Sequence, residues 1–562
     1  MLKNESFRRI LYFSVLLLFV FGGTLALLNY SGVLAGDNVY TEDFSSLTHS
    51  GTVYTGGAAK LDTIVWADAD GSTGPGEVDA GTNWRYVDME LDSNNRPVIA
   101  AIDNSTSDLY LIRWNGTAWT QADSSTAGVE TVVSSTSASQ VQLLIDGSNN
   151  IHLVWWDGAD VHVKYWNGSA WGNLGSSTNV TDQLSFSGVS SPADYADLDG
   201  SNYLNLAFSN ASVWGAYFTR WSGSAWVKMD GTAGYDSVRL GILSGTIGLE
   251  LDASNRPYVI WTETGGATEF RRWNGSAWVD MSGADADETV FAAAMYEDIE
   301  INSSTYPVVI GNDGGANNLF VSRWSGSAWV KMDGTAGYDS ISTVANTQNE
   351  RLVLLSDNPY IMWEEDAGDT LYESVNLTRW DGSKYAQMDG TAGTENLGAG
   401  VGGSPDFASS RLEFDSADKA HIYFANEEAA AEGGYYAQWD SGDGRWEDAD
   451  GTAGIATVGS ANNDATEGDL ELNGTVPHVL MTTGSFPAGT PYYAYYSGLY
   501  ASSGTVTLAT DANTGGNVVL NATLTGTHVT TGGTITYAMS TNEGLSWDTA
   551  TSGTLYTFVE KG

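Results

Sequence analysis

Eight polar residues recur at one step of a repeating pattern and could act on a common ligand: Asp103, Asp157, Asn210, Glu263, Asp313, Glu365, Asn426 and Thr483. Two residues before them stand Ala101, Trp155, Phe208, Trp261, Gly311, Trp363, Phe424 and Met481. Carboxylates beside aromatic rings hold sugars through hydroxyl hydrogen bonds and stacking, and they also hold cations. Trp155, Asp157, Trp261, Glu263, Asp313, Trp363 and Glu365 are therefore candidate ligand-binding residues. Asp103, Asp157 and Asp313 are candidate oxygen ligands for Ca²⁺, a hard cation that takes carboxylates. The competing expectation is that the aromatics are core and the acids merely end strands.

No other constellation is as regular. His49, His152, His162, His421, His478 and His528 have neither metal-ligand nor triad spacing, and structural roles are expected for them. Cysteine is absent, which excludes thiol nucleophiles and disulfides. Gly398, Gly400 and Gly403 match a dinucleotide-loop pattern, but Ser404-Pro405 follows where a helix should start, so a link is expected there. Asp68-x-Asp70-Gly71 and Asp197-x-Asp199-Gly200 offer two carboxylates each, fewer than a calcium loop supplies, and are expected to be turns.

The elements that would position these residues follow from a repeat. Trp-x-Gly-x-x-Trp occurs from Trp114 to Trp119, Trp166 to Trp171, Trp221 to Trp226, Trp273 to Trp278 and Trp324 to Trp329. Two looser copies run from Trp380 to Tyr385 and from Trp439 to Trp446. A period of roughly fifty residues is that of a propeller or an array. The fourth repeat shows the unit: an alternating strand at Gly248–Asp252, a turn, an apolar strand from Pro257 to Trp261, a third strand ending at Trp273, an Asn274-Gly275 hairpin, and a short fourth strand at Trp278. Four antiparallel strands make one blade. The recurring tryptophans are expected to pack between blades.

Register gives the blade count. The fourth-strand position occurs at residues 66, 119, 171, 226, 278, 329, 385 and 446. The copy at Trp66 has no strands before it, and the strands from Asp469 to Tyr496 lack an outer one. Joining the two defects predicts an all-β fold: an eight-bladed β-propeller closed by the N-terminal strand Asp62 to Asp68, with seven blades as the alternative. These blades resemble those of secreted microbial and phage-associated β-propeller repeat proteins, over about residues 59–499. The resemblance implies the fold, and only a lectin-like, adhesive or scaffolding class of role. The motif of quinone-dependent eight-bladed dehydrogenases is missing.

The ends differ. Lys3, Arg8 and Arg9 precede an apolar run from Ile10 to Leu28, with small residues at Val33 and Ala35. Residues 1–35 are expected to be an export signal or an uncleaved membrane anchor, with 36–58 as an extension. Residues 500–562 are expected to form a small β-domain with strands at Val518–Leu524, Thr534–Met539 and Thr554–Val559, short for a closed sandwich, as in a piece of a longer surface protein. Ser540 to Trp547 resembles the Asp-box hairpin, a turn fixture.

A formal charge of −46 repels nucleic acid and anionic lipid. The expected function is that of an exported, extracellular or cell-surface protein that binds glycan or another surface component through one propeller face without catalysis. A polysaccharide-degrading enzyme on the same face and a structural surface-layer or fibre component are the alternatives.

Overall fold

Each repeat folds as the alternation of its residues dictates. Second strands such as Pro97–Asp103, Leu204–Asn210 and Ala420–Asn426 are buried at every position, as strands covered on both faces must be. The first strand alternates, because one of its flanks meets a neighbouring core and the other does not.

The computed structural model describes the side chains of residues 66–496 apart from 73, 80–82, 135–136, 139, 182, 185–195, 211–214, 242–246, 296–297, 314–317, 343–346, 348–349, 366–373, 399–408, 427–432, 450, 459–466 and 485–488, and elsewhere only strand backbone. The chain divides into two units, Ala67–Tyr495 and the combined terminal segments.

The protein is an eight-bladed β-propeller. Blade 1 runs Trp84–Leu91, Pro97–Asp103, Leu109–Trp114 and Trp119–Thr120. Blades 2 to 7 begin at Gln140–Ile145, Ala196–Leu198, Leu243–Leu251, Met295–Ile301, Thr347–Leu355 and Phe407–Phe414. Blade 8 is composite, with sheet order Ala465–Asn473, Val476–Thr483, Thr490–Tyr500, Ile64–Ala67. First strands neighbour one another around the ring, and Ala465–Asn473 meets Trp84–Leu91 to close it.

The tryptophan repeat marks the register. Trp114 and Trp119 pair across their hairpin and meet edge to face, with ring centroids 5.5 Å apart. The same contact joins Trp166 to Trp171, Trp221 to Trp226, Trp273 to Trp278, Trp324 to Trp329, Trp380 to Tyr385 and Trp439 to Trp446. The eighth copy is Trp66 against Tyr496, at 6.1 Å. Edge-to-face packing of this kind adds about 0.5–1.5 kcal/mol per pair beyond area burial.

Among the described residues, every blade except blade 2 carries a fifth short strand that pairs beside the fourth on the third strand, for example Glu130–Val133 in blade 1. The Asp-Gly-Thr-Ala-Gly segments connect these two short strands, so they lie on the outer rim. Their aspartates cap the turn: Asp230 Oδ1 accepts from the Thr232 amide and hydroxyl, and Asp333 does the same with Thr335.

Neighbouring blades are joined by acids on that fifth strand. Glu130 accepts from the Ala122 amide within blade 1 and from Trp171 Nε1 of blade 2. Asp339 accepts from the Met332 amide and, across the interface, from the Tyr385 hydroxyl at 3.0 Å. Tyr at the outer position of blade 6 thus keeps the tie through its oxygen.

On one face, the turns between first and second strands form a second ring of ties. Each has a residue at positive φ: Asn95, Asn149, Asn202, Asn255, Thr305, Asp357, Asp418 and Gly474, with Ser356 as a second in blade 6. Left-handed backbone suits Asn, Asp and Gly, which explains their recurrence here. The side chains reach the preceding blade: Asn149 accepts from the Ser93 amide, Asn202 from Gly147, Asn255 from Gly200 and Asp357 from Ser303. Asp199, one of the paired-carboxylate candidates, accepts from the Ser201 and Tyr203 amides within such a turn. Asp68 and Asp70 likewise accept from amides of their own turn.

The other unit contains backbone strands at Val519–Thr530, Thr534–Met539 and Leu555–Thr557, close to the three expected in the C-terminal segment. Ser14–Val20 and Gly23–Leu34 are also strands, pairing with Thr534–Met539 and Val519–Thr530 respectively. Among the described residues no helix is long and apolar enough to cross a membrane. The Asp-box-like turn at 540–547 lies outside the described residues.

Candidate functional site

The polar positions at the ends of the second strands do share one face of the ring, but most are occupied locally. Asp103 is buried, and its Oδ1 accepts from the amides of Ser105 and Thr106 and from the Thr106 hydroxyl. Asp157 Oδ1 takes the Ala159 and Asp160 amides, while its Oδ2 lies 2.8 Å from His162 Nε2. Asp313 is bound twice by Asn318, through the amide and Nδ2. Glu365 accepts from the Ser342 hydroxyl and from Trp363 Nε1. Glu263 stands 3.8 Å from Arg239. Asn210 and Asn426 are buried.

The aromatic half of the expected site is core. Trp155, Trp261 and Trp363 are 2%, 0% and 1% exposed, so none offers a ring face to a ligand. They pack in the layers between blades 1 and 2, 3 and 4, and 5 and 6. The three calcium candidates, Asp103, Asp157 and Asp313, sit in three different blades, each turned into its own loop. Among the described residues no three His, Cys, Asp or Glu side chains gather as a metal site.

His152, His421 and His478 occupy one position in three second strands and are buried. His421 and His478 each meet a tyrosine hydroxyl, of Tyr436 and Tyr493. Burial holds all three well below the usual imidazole range, near 4, so they are neutral core residues.

A different set of carboxylates converges at the propeller axis. Glu90, Asp197, Glu250, Glu300, Glu413 and Glu471 occupy one position of six first strands, where blades 2 and 6 have Leu144 and Val353. Two residues earlier stand Asp88, Gln142, Gly248, Asp298, Arg351, Arg411 and Asp469 in seven of the blades. This second layer is structural. Asp88 accepts from the Leu143 amide, Asp298 from Leu352 and Asp469 from Met89, each reaching the first strand of the next blade. Asp469 also takes Arg411 Nε at 2.9 Å.

Four members of the upper layer differ. Glu90, Glu300, Glu413 and Glu471 make no hydrogen bond or ion pair among the described residues. Their side chains share one space: Glu413 of blade 7 repels Glu90 of blade 1 and Glu300 of blade 5. Burial first, then repulsion by Asp298 and Glu413, pushes Glu300 up to about 8. Burial and Asp469 push Glu413 up to about 7 against the pull of Arg411 and Arg351. Burial, with repulsion from Glu90, Asp469 and Glu413, raises Glu471 further. Such a space favours a cation, a proton or a donor-rich ligand over further anions.

Sequence reasoning passed over these residues, although their signal is present. Met89-Glu90-Leu91, Leu249-Glu250-Leu251, Ile299-Glu300-Ile301 and Leu470-Glu471-Leu472 place one acid between two apolar residues at the same point of four first strands.

No protein-family model matches the chain, and no curated protein is detectably similar to it in sequence. Among solved structures, the polysaccharide lyase Uly1 is similar over 63% of this chain and 88% of its own, at 9% identity and a TM-score of 0.38. The SapL1 lectin, solved with alpha methyl fucoside, is similar over 58% and 96%, at 16% identity and 0.32. The intramolecular trans-sialidase from Ruminococcus gnavus is similar over 76% and 97%, at 11% identity and 0.30. At this level the likeness concerns the fold alone.

Proposed function

We propose that this chain is an exported, non-catalytic binding protein for a glycan or another donor-rich surface component, with the carboxylates at the propeller axis as its recognition site. The observation that carries the reading is that Glu90, Glu300, Glu413 and Glu471 point into one space without a protein partner. Sugar hydroxyls donate to carboxylate oxygens, and Ca²⁺ bridges carboxylates to sugars, so either satisfies this space. The loop face first expected to bind contributes less, because its tryptophans are core and most of its acids hold their own loops.

Glycan-array binding followed by calorimetric titration, with and without Ca²⁺, tests this. A combined Glu90→Gln, Glu413→Gln and Glu471→Gln variant should lose binding while keeping its fold. Binding that survives this variant would place the site elsewhere.

A second reading has one specific support. A carboxyl group that keeps its proton near neutrality is what a general acid requires, and Glu300, Glu413 and Glu471 are pushed that way. Release of new reducing ends or unsaturated products from a polysaccharide panel, abolished by Glu471→Gln, would favour a degrading enzyme.

A further inference from the structure

Three blades carry Asn-Gly at the tip of the hairpin between third and fourth strands: Asn115-Gly116, Asn167-Gly168 and Asn274-Gly275. In each, the asparagine side-chain oxygen is a focus of donors. Asn274 Oδ1 accepts from the Ser276 amide and hydroxyl, both at 2.9 Å, and from the Ala277 amide at 3.0 Å. Asn167 Oδ1 has the same three partners in Ser169 and Ala170, and Asn115 Oδ1 has them in Thr117 and Ala118. The following glycine lies at positive φ, and its amide donates to no group among the described residues. Asn167 and Asn274 are exposed.

These features define a reaction. The glycine nitrogen adds to Cγ of the preceding asparagine, and the negative charge that develops falls on Oδ1, where three donors already converge, as in an oxyanion hole. We propose that Asn167 and Asn274 are self-modifying sites, converting to aspartyl residues through a cyclic imide. The new bond joins the glycine nitrogen to Cγ, the glycine N–H proton passes through solvent to Nδ2, and the Cγ–Nδ2 bond breaks to release ammonia. Solvent water then opens the imide to aspartate or isoaspartate. Asn115 follows more slowly, because its leaving nitrogen is held by the Ser124 carbonyl at 3.0 Å.

The fold already contains the product. Blade 6 has Asp381 at this position, with Oδ1 accepting from the Ser383 amide and hydroxyl and the Lys384 amide at 2.8, 2.8 and 2.9 Å. Aspartate therefore keeps the turn, whereas isoaspartate lengthens the main chain and breaks it. Asn473-Gly474 is an internal control: the same dipeptide, with no donor to Oδ1 among the described residues.

The test is peptide mapping by mass spectrometry, with isoaspartate quantified, on the full chain held in mildly alkaline buffer, native and in guanidinium. Native protein should convert at Asn167 and Asn274 about tenfold faster than unfolded protein, a modest share of the roughly 10²–10³ that one donor contributes in an enzyme. Asn115 and Asn473 should lag. Ser276→Ala should slow Asn274 alone, and Asn274→Asp should leave the melting temperature unchanged. Conversion in the native state no faster than in guanidinium, or indifferent to Ser276→Ala, overturns the proposal.

Discussion

Trp171 of blade 2 donates its indole N–H to Oε1 of Glu130, which leaves blade 1, over 2.9 Å. The other oxygen of the same carboxylate holds the Ala122 amide of its own blade. One side chain thus ties two blades, and Glu130→Ala leaves both donors unsatisfied. The expected cost is about 2–3 kcal/mol, from hydrogen bonds to a charged group. Urea unfolding should show the midpoint falling with an unchanged slope. Glu130→Gln, which still accepts one bond, should lose less.

Tyr423 is fully buried, and its hydroxyl has no partner among the described residues. It lies opposite Arg411 in the ladder. An orphaned buried hydroxyl destabilises, so Tyr423→Phe should be neutral or raise stability by up to about 1 kcal/mol. Tyr436→Phe, which removes the partner of His421 Nδ1, should lower it. Thermal unfolding of the two variants side by side checks this; a loss with Tyr423→Phe means the hydroxyl has a bonded partner.

Stability should fall as pH rises. Glu300 is raised from 4.5 to about 8, and Glu413 from 4.5 to about 7, by burial and by neighbouring acids. The folded state therefore holds more protons than the unfolded state between these limits, and it loses that advantage as pH rises through them. Above pH 6.5, where the three buried histidines no longer contribute in the opposite direction, melting temperature should decline up to pH 8, and a Glu300→Gln, Glu413→Gln variant should flatten the decline. Divalent cation should restore stability at the alkaline end only if it enters the axial space.

The strand Ile64–Ala67 supplies the outer edge of blade 8. Deleting residues 59–70 should leave Thr490–Tyr500 with unpaired backbone, lower the melting temperature and promote self-association. Light scattering and thermal unfolding on the same samples would detect both effects. An unchanged melting temperature would mean that the ring does not depend on this strand.

Much of the architecture was legible because it repeats. The Trp114–Trp119 pair and its copies fix the hairpin register, and Trp66 against Tyr496 completes the series, so the eight-bladed count and the closure follow from spacing alone. The site was less legible. Distance along the second strand placed Asp103 and Asp157 correctly at its end, but could not reveal that their own loops turn back to occupy them. Trp155 two residues earlier looked the same as platform or as core, since burial depends on the neighbouring blade. The place of the Asp-Gly-Thr-Ala-Gly segments was not legible, because a two-residue strand such as Asp339–Ser340 leaves almost no periodicity to read. The axial acids alternate with core residues as any edge strand would, and only the closed ring turns that alternation into a convergent set.

The composite blade also orders events in time. The strand that seals the ring is made first, and Thr490–Tyr500, to which it must dock, is made long afterwards. Blades 1 to 7 can form hairpin by hairpin as the chain emerges, since their strands are sequential neighbours. The seam cannot. Until the last blade arrives, residues 64–67 remain an unmatched edge strand, so cellular yield should depend on how well this short segment is shielded during synthesis.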